Sequence, residues 1–493
     1  MAEQVRAPEL AHPGLRWFNV EAPLSLRDLA GRLVILDFWT FCCINCMHIL
    51  PILRRVEEAF PREVAVIGVH SPKFAAERDP ENLARAIARY GILHPVVHDP
   101  GLLIWRSYAV RAWPTLMFVS PDGYVLGTHS GEPDPEGFFQ GVSRVVDQIH
   151  ETGFASPDPL PLKPLPGAAG RLSFPAKLKR LPGGEKAWVL CDPGHHQIVI
   201  LGDDGGERSR VGSGAPGWRD GERGEARFLS PQGLAADGEA IYVADTSNHR
   251  IRRIDRASGR VTTLAGTGAR GLPLGGAASA LDTPLASPWD IEARGARLFF
   301  ANAGTHQLGL LDLARGTAAR LAGSGAEGIE DGPAGEATLA QPSGLALDPS
   351  GGTLYFVDSE TSSIRLLALG AQGEMPEVRT LAGKGLFDFG HENGPLDRAL
   401  FQHPLGIAWL GGGAGRLLVA DSYNGALRLV DLRRQWASDL DDGFDCADPV
   451  CLPAGEPAGA AADSPERVFM VDTNNHRILE YRLPERSYRT WCQ

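Results

Sequence analysis

The chain has 493 residues, too many for one ordinary hydrophobic core, since domains typically contain about 100–200 residues. Apolar residues make up 43% of the sequence and charged residues 22%, which is typical of a folded protein and excludes an extended disordered chain. The net charge of −12 argues against nucleic acid and anionic lipid as partners, because both bind clustered Lys and Arg. We therefore predict no nucleic-acid partner and no membrane partner.

The first residues, MAEQVRAPELAHPGLRWF, contain no apolar core of signal-peptide length, and the chain has no apolar run long enough to span a membrane. We expect a soluble, cytoplasmic protein that is a monomer. Thiols stay reduced in the cytoplasm, so closely spaced cysteines there are more often catalytic or metal-binding than structural.

From residue 32 to residue 150, short apolar runs alternate with helical patterns, which predicts an α/β domain with a mixed sheet over residues 1–150. RLVILDFW and VAVIGVH predict buried strands, and Cys46 to Phe60 between them has helical periodicity. RDPENLARAIARYG predicts a helix with Asp79 as N-cap, Pro80 in its first position and Gly91 at its end. A strand in HPVVHD, a short helix in GLLIWRSYAV, the hairpin TLMFVSPDGYVLGTHS and a helix near PEGFFQGVSRVVDQIH follow.

Residues 151–170 are rich in Pro, Gly and Ala and predict a linker, and residues 171–493 contain a repeat. Each copy has an apolar strand, an Asp, a tight polar turn and then Ile or Leu. Further strands precede and follow most copies, so six periods of four strands predict a six-bladed β-propeller. The copies are centred on Asp192, Asp245, Asn302, Asp358, Asp421 and Asp472.

The repeated units resemble NHL repeats, and the two halves together resemble the family of NHL repeat-containing protein 2. That family joins a thioredoxin-like domain to an NHL propeller and carries a CCINC sequence, present here as Cys42 to Cys46. The resemblance implies a multidomain fold, in which a thioredoxin-like α/β domain is followed by an all-β, six-bladed NHL-type propeller.

The first domain separately resembles thioredoxins. With Cys43 and Cys46 as the CxxC pair, the resemblance implies that Cys43 attacks a disulfide, Cys46 resolves the mixed disulfide and Asp37 takes the proton of Cys46. The chain departs from thioredoxins between the two cysteines, where Ile44-Asn45 replaces Gly-Pro. Other positions that match are Trp39, Pro51 in the active-site helix, and Pro114 of VRAWPT in the place of a cis-proline.

A physical argument supports Cys43 as the nucleophile, because a strand-to-helix turn places it at the positive end of a helix dipole, which lowers a thiol pKa. Trp113 and Pro114 are expected to form a flat surface on which an extended substrate lies. Cys42 stands where many thioredoxins have Trp. We expect it to pack in the interior, and a pairing with Cys46 stays open.

Several alternatives remain open for the cysteines. A CxxC can be half of a zinc site, but a closed site needs four ligands and no second CxxC occurs, so we predict no metal and no cofactor. Thr40-x-x-Cys43 resembles a peroxiredoxin motif, with Leu36 in the place of its leading Pro, which leaves a thiol peroxidase open. A redox-inert domain in a non-enzymatic interaction scaffold is the third alternative. Cys446 and Cys451 could pair on a loop, but we expect them to stay unpaired, because such residues more often do not pair.

The repeated Asp of the propeller fits a structural role, because its carboxylate can accept backbone N–H bonds at the turn.

The long Gly-rich links between blades are expected on the same face of the propeller as these turns, near the channel mouth. Variable loops on a rigid scaffold often bind partners. A lactonase-like propeller with Asp290 and Glu456 at the channel is an alternative. The predicted function is thiol-disulfide exchange on a protein client or disulfide substrate. The candidate binding face comprises Trp218, Arg219, Asp220, Glu330, Asp331, Phe387, His391 and Glu392.

Overall fold

Residues 1–168 and residues 169–493 form two separate units in the structure, which is a computed structural model. It describes residues 5–151, 158–167, 170–184, 186–370, 375–411, 415–440 and 442–493. Within these ranges, no helix combines the length and the apolar character that crossing a bilayer requires.

The first unit contains one six-stranded mixed sheet, in the order β1-β4-β3-β2-β5-β6. β2, β3 and β4 run parallel, and the other neighbours pair antiparallel. The strands are β1 Arg16–Phe18, β2 Leu33–Trp39, β3 Val64–His70, β4 Val96–His98, β5 Thr115–Val119 and β6 Val125–Ser130. The helices are α1 Ile44–Ala59, α2 Pro80–Tyr90, α3 Leu103–Ser107 and α4 Pro135–Glu151, with a 3-10 turn at Ala76–Arg78.

The two central strands, β2 and β3, are buried along their whole length, which explains why both are continuous apolar runs. One face of the sheet packs against α1 and α4, and the other packs against α3 and its neighbours. The helix predicted after Asp79 is confirmed: Asp79 accepts the Glu81 N–H, and Gly91 ends the helix with φ of 60°. The sequence did not predict β1, a three-residue edge strand that pairs with β4.

Residues 158–167, which belong to the segment predicted as a linker, pack on the first unit. The Lys163 N–H donates to the Asn19 carbonyl at 2.8 Å, and the Leu165 N–H donates to Asn19 Oδ1 at 3.0 Å. Leu160 packs against the apolar core. These bonds fix the segment on its own domain, although its Pro-rich composition favours an extended spacer.

The second unit is a six-bladed β-propeller, as the sequence predicted, and each blade contains a four-stranded antiparallel sheet. Blade 1 has β7 Leu178–Arg180, β8 Ala187–Asp192, β9 Gln197–Gly202 and β10 Glu207–Val211. Blade 2 has β11 Gly233–Ala236, β12 Ala240–Asp245, β13 Arg250–Asp255 and β14 Val261–Ala265. Blade 3 has β15 Ala278–Ser279, β16 Pro288–Arg294, β17 Arg297–Asn302, β18 Gln307–Asp312 and β19 Thr317–Ala322.

The last three blades, like blade 3, carry a fifth, two-residue strand beyond the fourth. Blade 4 has β20 Gly332–Pro333, β21 Pro342–Leu347, β22 Thr353–Asp358, β23 Ser363–Ala368 and β24 Glu377–Ala382. Blade 5 has β25 Gly394–Pro395, β26 Gly406–Leu410, β27 Arg416–Asp421, β28 Ala426–Asp431 and β29 Trp436–Asp439. Blade 6 has β30 Asp445–Cys446, β31 Pro457–Ser464, β32 Arg467–Asp472, β33 Arg477–Arg482 and β34 Ser487–Cys492.

The innermost strands of the six blades contact one another in a closed ring, from β7 to β31 and back to β7. Blade 6 meets blade 1 through an aromatic cluster of Trp188, Phe469 and Trp491 and through an ion pair of 2.8 Å between Arg467 and Asp203. The sheet of blade 1 contains only the first strands of the propeller, and the sheet of blade 6 contains only the last ones. No strand is therefore shared between the two blades, and side-chain contacts join them.

Cys446 and Cys451 form a disulfide, so the expectation that they stay unpaired is wrong. Their Cα atoms are 6.2 Å apart, within the range that a disulfide spans. β30 pairs with β34 and holds Cys446 at the start of the loop, which gives a bridge of only five residues a defined geometry.

Candidate functional site

The CCINC stretch lies where β2 passes into α1, and Cys43 is the N-cap residue of the helix. The Met47 N–H donates to the Cys43 carbonyl at 3.2 Å, so the first helical turn is closed around this residue. Cys43 is half-buried, whereas Cys42 and Cys46 are 4% and 1% exposed. Cys43 therefore stands at the N-terminus of a 16-residue helix and is the one of these three cysteines that solvent reaches.

The loop ahead of Cys43 is held by a carboxylate that the sequence analysis missed. Glu77 is fully buried and accepts the Thr40 hydroxyl at 2.5 Å and the Cys42 N–H at 3.1 Å. It also accepts the N–H groups of Lys73 and Phe74, at 2.8 and 2.9 Å. Four donors on one buried carboxylate fix the loop from which Cys43 projects. The sequence alone does not distinguish Glu77 from an exposed glutamate near the N-cap residue Asp79.

Cys46 hydrogen-bonds the side chain of Cys43 and interacts electrostatically with Asp37. Asp37 is fully buried in β2, and no described residue hydrogen-bonds to either of its carboxylate oxygens. Burial raises the pKa of Asp37 to about 7, which the charge of His94 opposes and the charge of Glu57 reinforces. Burial, a hydrogen bond with Cys43 and the charge of Asp37 raise the pKa of Cys46. Cys46 therefore needs a proton acceptor before it can attack, and Asp37 is suited to that role.

The Trp113–Pro114 peptide bond is cis, as the sequence predicted. Thr115 pairs with Phe38 of β2, so Pro114 lies at the end of the sheet from which the cysteine loop departs. Trp113 donates its indole N–H to the Ser71 carbonyl at 2.9 Å, and its ring lies 4.5 Å from that of Trp105. Trp39 is buried at the same end of β2, with 1% of its surface exposed.

The repeated Asp of the propeller has a structural role, as predicted, but its main partner was missed. In blades 2, 4 and 5 one carboxylate oxygen accepts the N–H of a residue shortly before the innermost strand. The other oxygen pairs with a fully buried Arg seven residues later, at 2.7 to 3.0 Å. The signal was present as Arg252, Arg365 and Arg428 at one fixed spacing from the Asp.

The candidate binding residues do not lie near the channel mouth, which corrects the prediction. The links between blades run outward and pair with the fourth, outer strand of the following blade. Asp220 accepts the N–H and the hydroxyl of Thr263 on β14, and Asp331 does the same with Thr380 on β24. The same two carboxylates bind the buried arginines Arg252 and Arg365.

Except for Phe387, the other members of the candidate face also lie along these outer edges, on three different blades. Arg219 pairs with Glu225, Glu330 with Thr338, and His391 with Asp439 on β29. The backbone of Glu392 bridges to that of Leu400. The apolar exposure comes from Trp218, 49% exposed beneath the Arg250 guanidinium, and from Phe387, 72% exposed.

The inner face of the propeller is tied together by internal bonds. Lys179 of β7 pairs with Glu292 of β16 at 2.5 Å, and Lys177 donates to the carbonyls of Leu405 and Ala458. The two carboxylates considered for a lactonase-like site also bind within the chain, since Asp290 accepts the Leu345 N–H and Glu456 the Asn474 amide. Across the described ranges, no group of three or more His, Cys, Asp or Glu side chains is placed to hold a metal ion.

Each of the two units contains a match to a known family model. A family model described as thioredoxin-like matches residues 31–125, and the NHL repeat model matches residues 228–254. NHL repeat-containing protein 2 of Gallus gallus is 36% identical over 511 aligned residues, which cover 96% of this chain and 69% of the relative. The chain belongs to the NHL repeat-containing protein 2 family.

Two further relatives match this chain over very different lengths. The protein SUPPRESSOR OF QUENCHING 1, chloroplastic, of Arabidopsis thaliana is 36% identical over 94% of this chain, which spans 45% of the plant protein. The thiol-disulfide oxidoreductase ResA of Halalkalibacterium halodurans is 29% identical over 110 residues, 22% of this chain and 59% of its own. The second match is confined to part of the chain, and its length is close to that of the thioredoxin-like model.

Proposed function

We propose that the first unit catalyses thiol-disulfide exchange and that the propeller binds the protein client. One observation carries the proposal: the half-buried Cys43 at the start of a long helix hydrogen-bonds the buried Cys46, which in turn feels the charge of the buried Asp37. A scaffold has no need for an unpaired buried carboxylate beside a buried thiol, because such a group costs folding free energy. The similarity to a named thiol-disulfide oxidoreductase supports the same chemistry.

In the proposed reaction, the Cys43 thiolate attacks one sulfur of a client disulfide and displaces the other as a client thiolate. This forms a mixed disulfide between Cys43 and the client. Cys46 then gives its proton to Asp37, attacks the sulfur of Cys43 and releases the second client thiolate. The client gains two electrons and two protons, and the chain ends with a Cys43–Cys46 disulfide.

The proposal also specifies that the client is a protein and that the propeller binds it. Exposed aromatic side chains are common at protein interfaces, and Trp218 in the link to blade 2 and Phe387 in the link to blade 5 provide them. β-Propellers present variable loops on a rigid frame, which suits the binding of another protein.

The test replaces Cys46 with Ser in the full chain and adds oxidised glutathione as a defined disulfide. Attack by Cys43 remains possible but resolution does not, so the variant should accumulate a Cys43–glutathione adduct, detected by mass spectrometry. The wild type should pass instead to the Cys43–Cys46 disulfide. Insulin, whose reduction is followed by turbidity with dithiothreitol present, provides the matching turnover assay for a protein disulfide.

Two matched variants assign the roles. Cys43→Ser should abolish both the adduct and turnover, whereas Cys42→Ser should retain the adduct, because Cys42 is buried beside Glu77. An adduct that persists in Cys43→Ser and disappears in Cys42→Ser would show the assignment to be wrong. Wild-type thiols that stay reduced in every glutathione buffer would favour the scaffold. Hydrogen peroxide consumed faster than disulfide would favour a peroxidase.

A further inference from the structure

Buried polar atoms without a hydrogen-bond partner among the described residues converge on Gly68. They are both carboxylate oxygens of Asp37, the indole nitrogen of Trp39 and Nε2 of His94. Asp37 lies directly opposite Gly68 in the parallel pair of β2 and β3, and Trp39 follows two residues later on the same face. A Cβ atom on Gly68 would lie 3.0 Å from the Trp39 nitrogen and 3.4 Å from His94 Nε2. The missing side chain thus leaves these groups facing one another.

His94 connects this cluster with a second carboxylate. Its Nδ1 lies 3.3 and 3.4 Å from the two carboxylate oxygens of Glu57 on α1. Since a carboxylate accepts, Nδ1 carries a proton, and in the neutral ring Nε2 is a free acceptor. The His94 side chain is 4% exposed and that of Glu57 is 26% exposed. The pair therefore extends from the buried cluster to solvent.

The backbone fixes the imidazole in this position. Asn19 donates its side-chain amide to the His94 carbonyl at 2.9 Å and to the Ile92 carbonyl at 2.8 Å. His94 directly precedes Pro95 at the start of β4, and the Gly68 N–H donates to the Pro95 carbonyl at 2.9 Å. These bonds tie His94 to the strand that contains Gly68, so its ring faces Asp37 across the glycine.

We propose that His94 and Glu57 form a relay that carries the proton of Cys46 from Asp37 to solvent. This deepens the proposed function and rests on it. After Cys46 gives its proton to Asp37, the carboxylic acid passes it to Nε2 of His94, through one bridging water. The imidazolium gives its Nδ1 proton to Glu57, which releases it to solvent. Asp37 returns to the carboxylate, no electron moves in the relay, and the displaced client thiolate takes a proton from solvent.

The principal test is His94→Gln in the full chain, with His150→Gln as its control. His150 makes the same kind of pair, with Nε2 3.3 Å from the carboxylate of Glu63, away from the cysteines. Alkylation of Cys43 by iodoacetamide should proceed at the wild-type rate in both variants. Resolution of the Cys43–glutathione mixed disulfide, followed by rapid quench, should slow at least about tenfold in His94→Gln alone, because a positioned proton acceptor contributes roughly 10²–10⁴-fold.

A second measurement does not depend on activity. The titratable groups that act on Asp37 are His94, Glu57 and Cys46. Since His94 lowers the pKa of Asp37 and Glu57 raises it, carboxyl carbon NMR should show a higher midpoint in His94→Gln and a lower one in Glu57→Gln. Gly68→Ala places a methyl group at the meeting point and should slow resolution without removing a titratable group.

The outcomes separate the relay from the reaction itself. If the wild type resolves mixed disulfides and His94→Gln resolves them equally fast over the whole pH range, the relay is wrong and the proposed function stands. If Cys46→Ser forms no Cys43–glutathione adduct and the wild type forms no Cys43–Cys46 disulfide, the proposed function fails. The Asp37 midpoints then decide the geometry of the relay: unchanged values in both His94→Gln and Glu57→Gln overturn it, and opposite shifts support it.

Discussion

At the scale of single residues, the carboxyl group of Asp37 is buried without a hydrogen-bond partner among the described residues. It is fully buried, and burial raises its pKa from 3.8 to about 7. The protonated form is therefore favoured in the folded state. Its contribution to stability is complete below about pH 4 and is lost as the pH rises through about 7, where the folded chain must hold a buried carboxylate.

Asp37→Asn should therefore stabilise the first unit at alkaline pH. The gain in the free energy of unfolding should be small near pH 4 and reach roughly 2–4 kcal/mol above about pH 8, since each pKa unit corresponds to about 1.4 kcal/mol. Urea denaturation at several pH values measures it, with the exposed Asp147→Asn as control. A gain that does not grow with pH would mean that Asp37 titrates in the folded chain as it does in water. Turnover should fall in the same variant.

The sequence predicted some site residues and missed others for a physical reason. Cys43, Cys46, Asp37 and Pro114 match motifs of the thioredoxins in the same order, so the resemblance was sufficient to propose them. Glu77, His94 and Glu57 reach the site from three other segments, and their roles depend on tertiary contacts that no local spacing records. Gly68 is informative only when its neighbour across the sheet is known.

At the scale of elements, the turn after the repeated Asp is stabilised by a buried ion pair in blades 2, 4 and 5, and a residue of the link that leads to the blade joins that pair. Arg365 is fully buried and contacts Asp358 at 3.0 Å and the link residue Asp331 at 2.9 Å. Blade 3 has Asn302 in place of the Asp and Gly309 in place of the Arg. There the Asn302 amide donates to the Thr305 hydroxyl at 2.6 Å, so a hydrogen bond between uncharged groups replaces the ion pair in this blade.

Asp358→Asn should destabilise the propeller by roughly 3 kcal/mol, because it leaves the buried Arg365 guanidinium facing an amide donor. Asp331→Asn is the matched control: Asp331 is 43% exposed, and blade 5 already uses Asn393 against Arg428 at the corresponding place. It should cost about 1 kcal/mol or less. Urea denaturation of both variants gives the comparison, and equal losses would show that the buried pair has no special weight.

The elements that the sequence missed are the shortest ones. β1 has three residues, and the fifth strands of blades 3 to 6 have two each, which is too short for an alternating pattern. They form because a neighbouring strand edge offers free N–H and C=O groups. Those short pairings determine where the links between blades run, so the prediction that placed Trp218, Asp331 and His391 near the channel mouth was wrong.

At the scale of the whole propeller, one type of bond recurs between consecutive blades. In four blades, a histidine in the left-handed conformation after the turn accepts, through Nδ1, a backbone N–H at the start of the following blade. The last of these joins His476 of blade 6 to Phe174 ahead of blade 1, so the same bond also closes the ring. Blade 4 uses the Ser362 hydroxyl, which accepts the His403 N–H at 3.1 Å.

This arrangement predicts that the propeller loses stability in acid. An imidazole accepts through Nδ1 only while it is neutral, and burial lowers the pKa of His196 in the folded state. The contribution of His196 is therefore complete above its unfolded pKa, about 6.5, and is lost as the pH falls below that value.

The variant His196→Ser tests this directly, because Ser362 shows that serine adopts the same backbone, with φ of 50°, and still accepts the next blade's N–H. Between about pH 7.5 and 5.5 the wild type should lose roughly 1 kcal/mol more stability than the variant, the worth of one such hydrogen bond. Unfolding followed by tryptophan fluorescence measures both, and the exposed His129→Ser should behave as the wild type. If His196→Ser retained the full acid sensitivity, the hydrogen bond that His196 accepts would not be the contact that acid removes from the propeller.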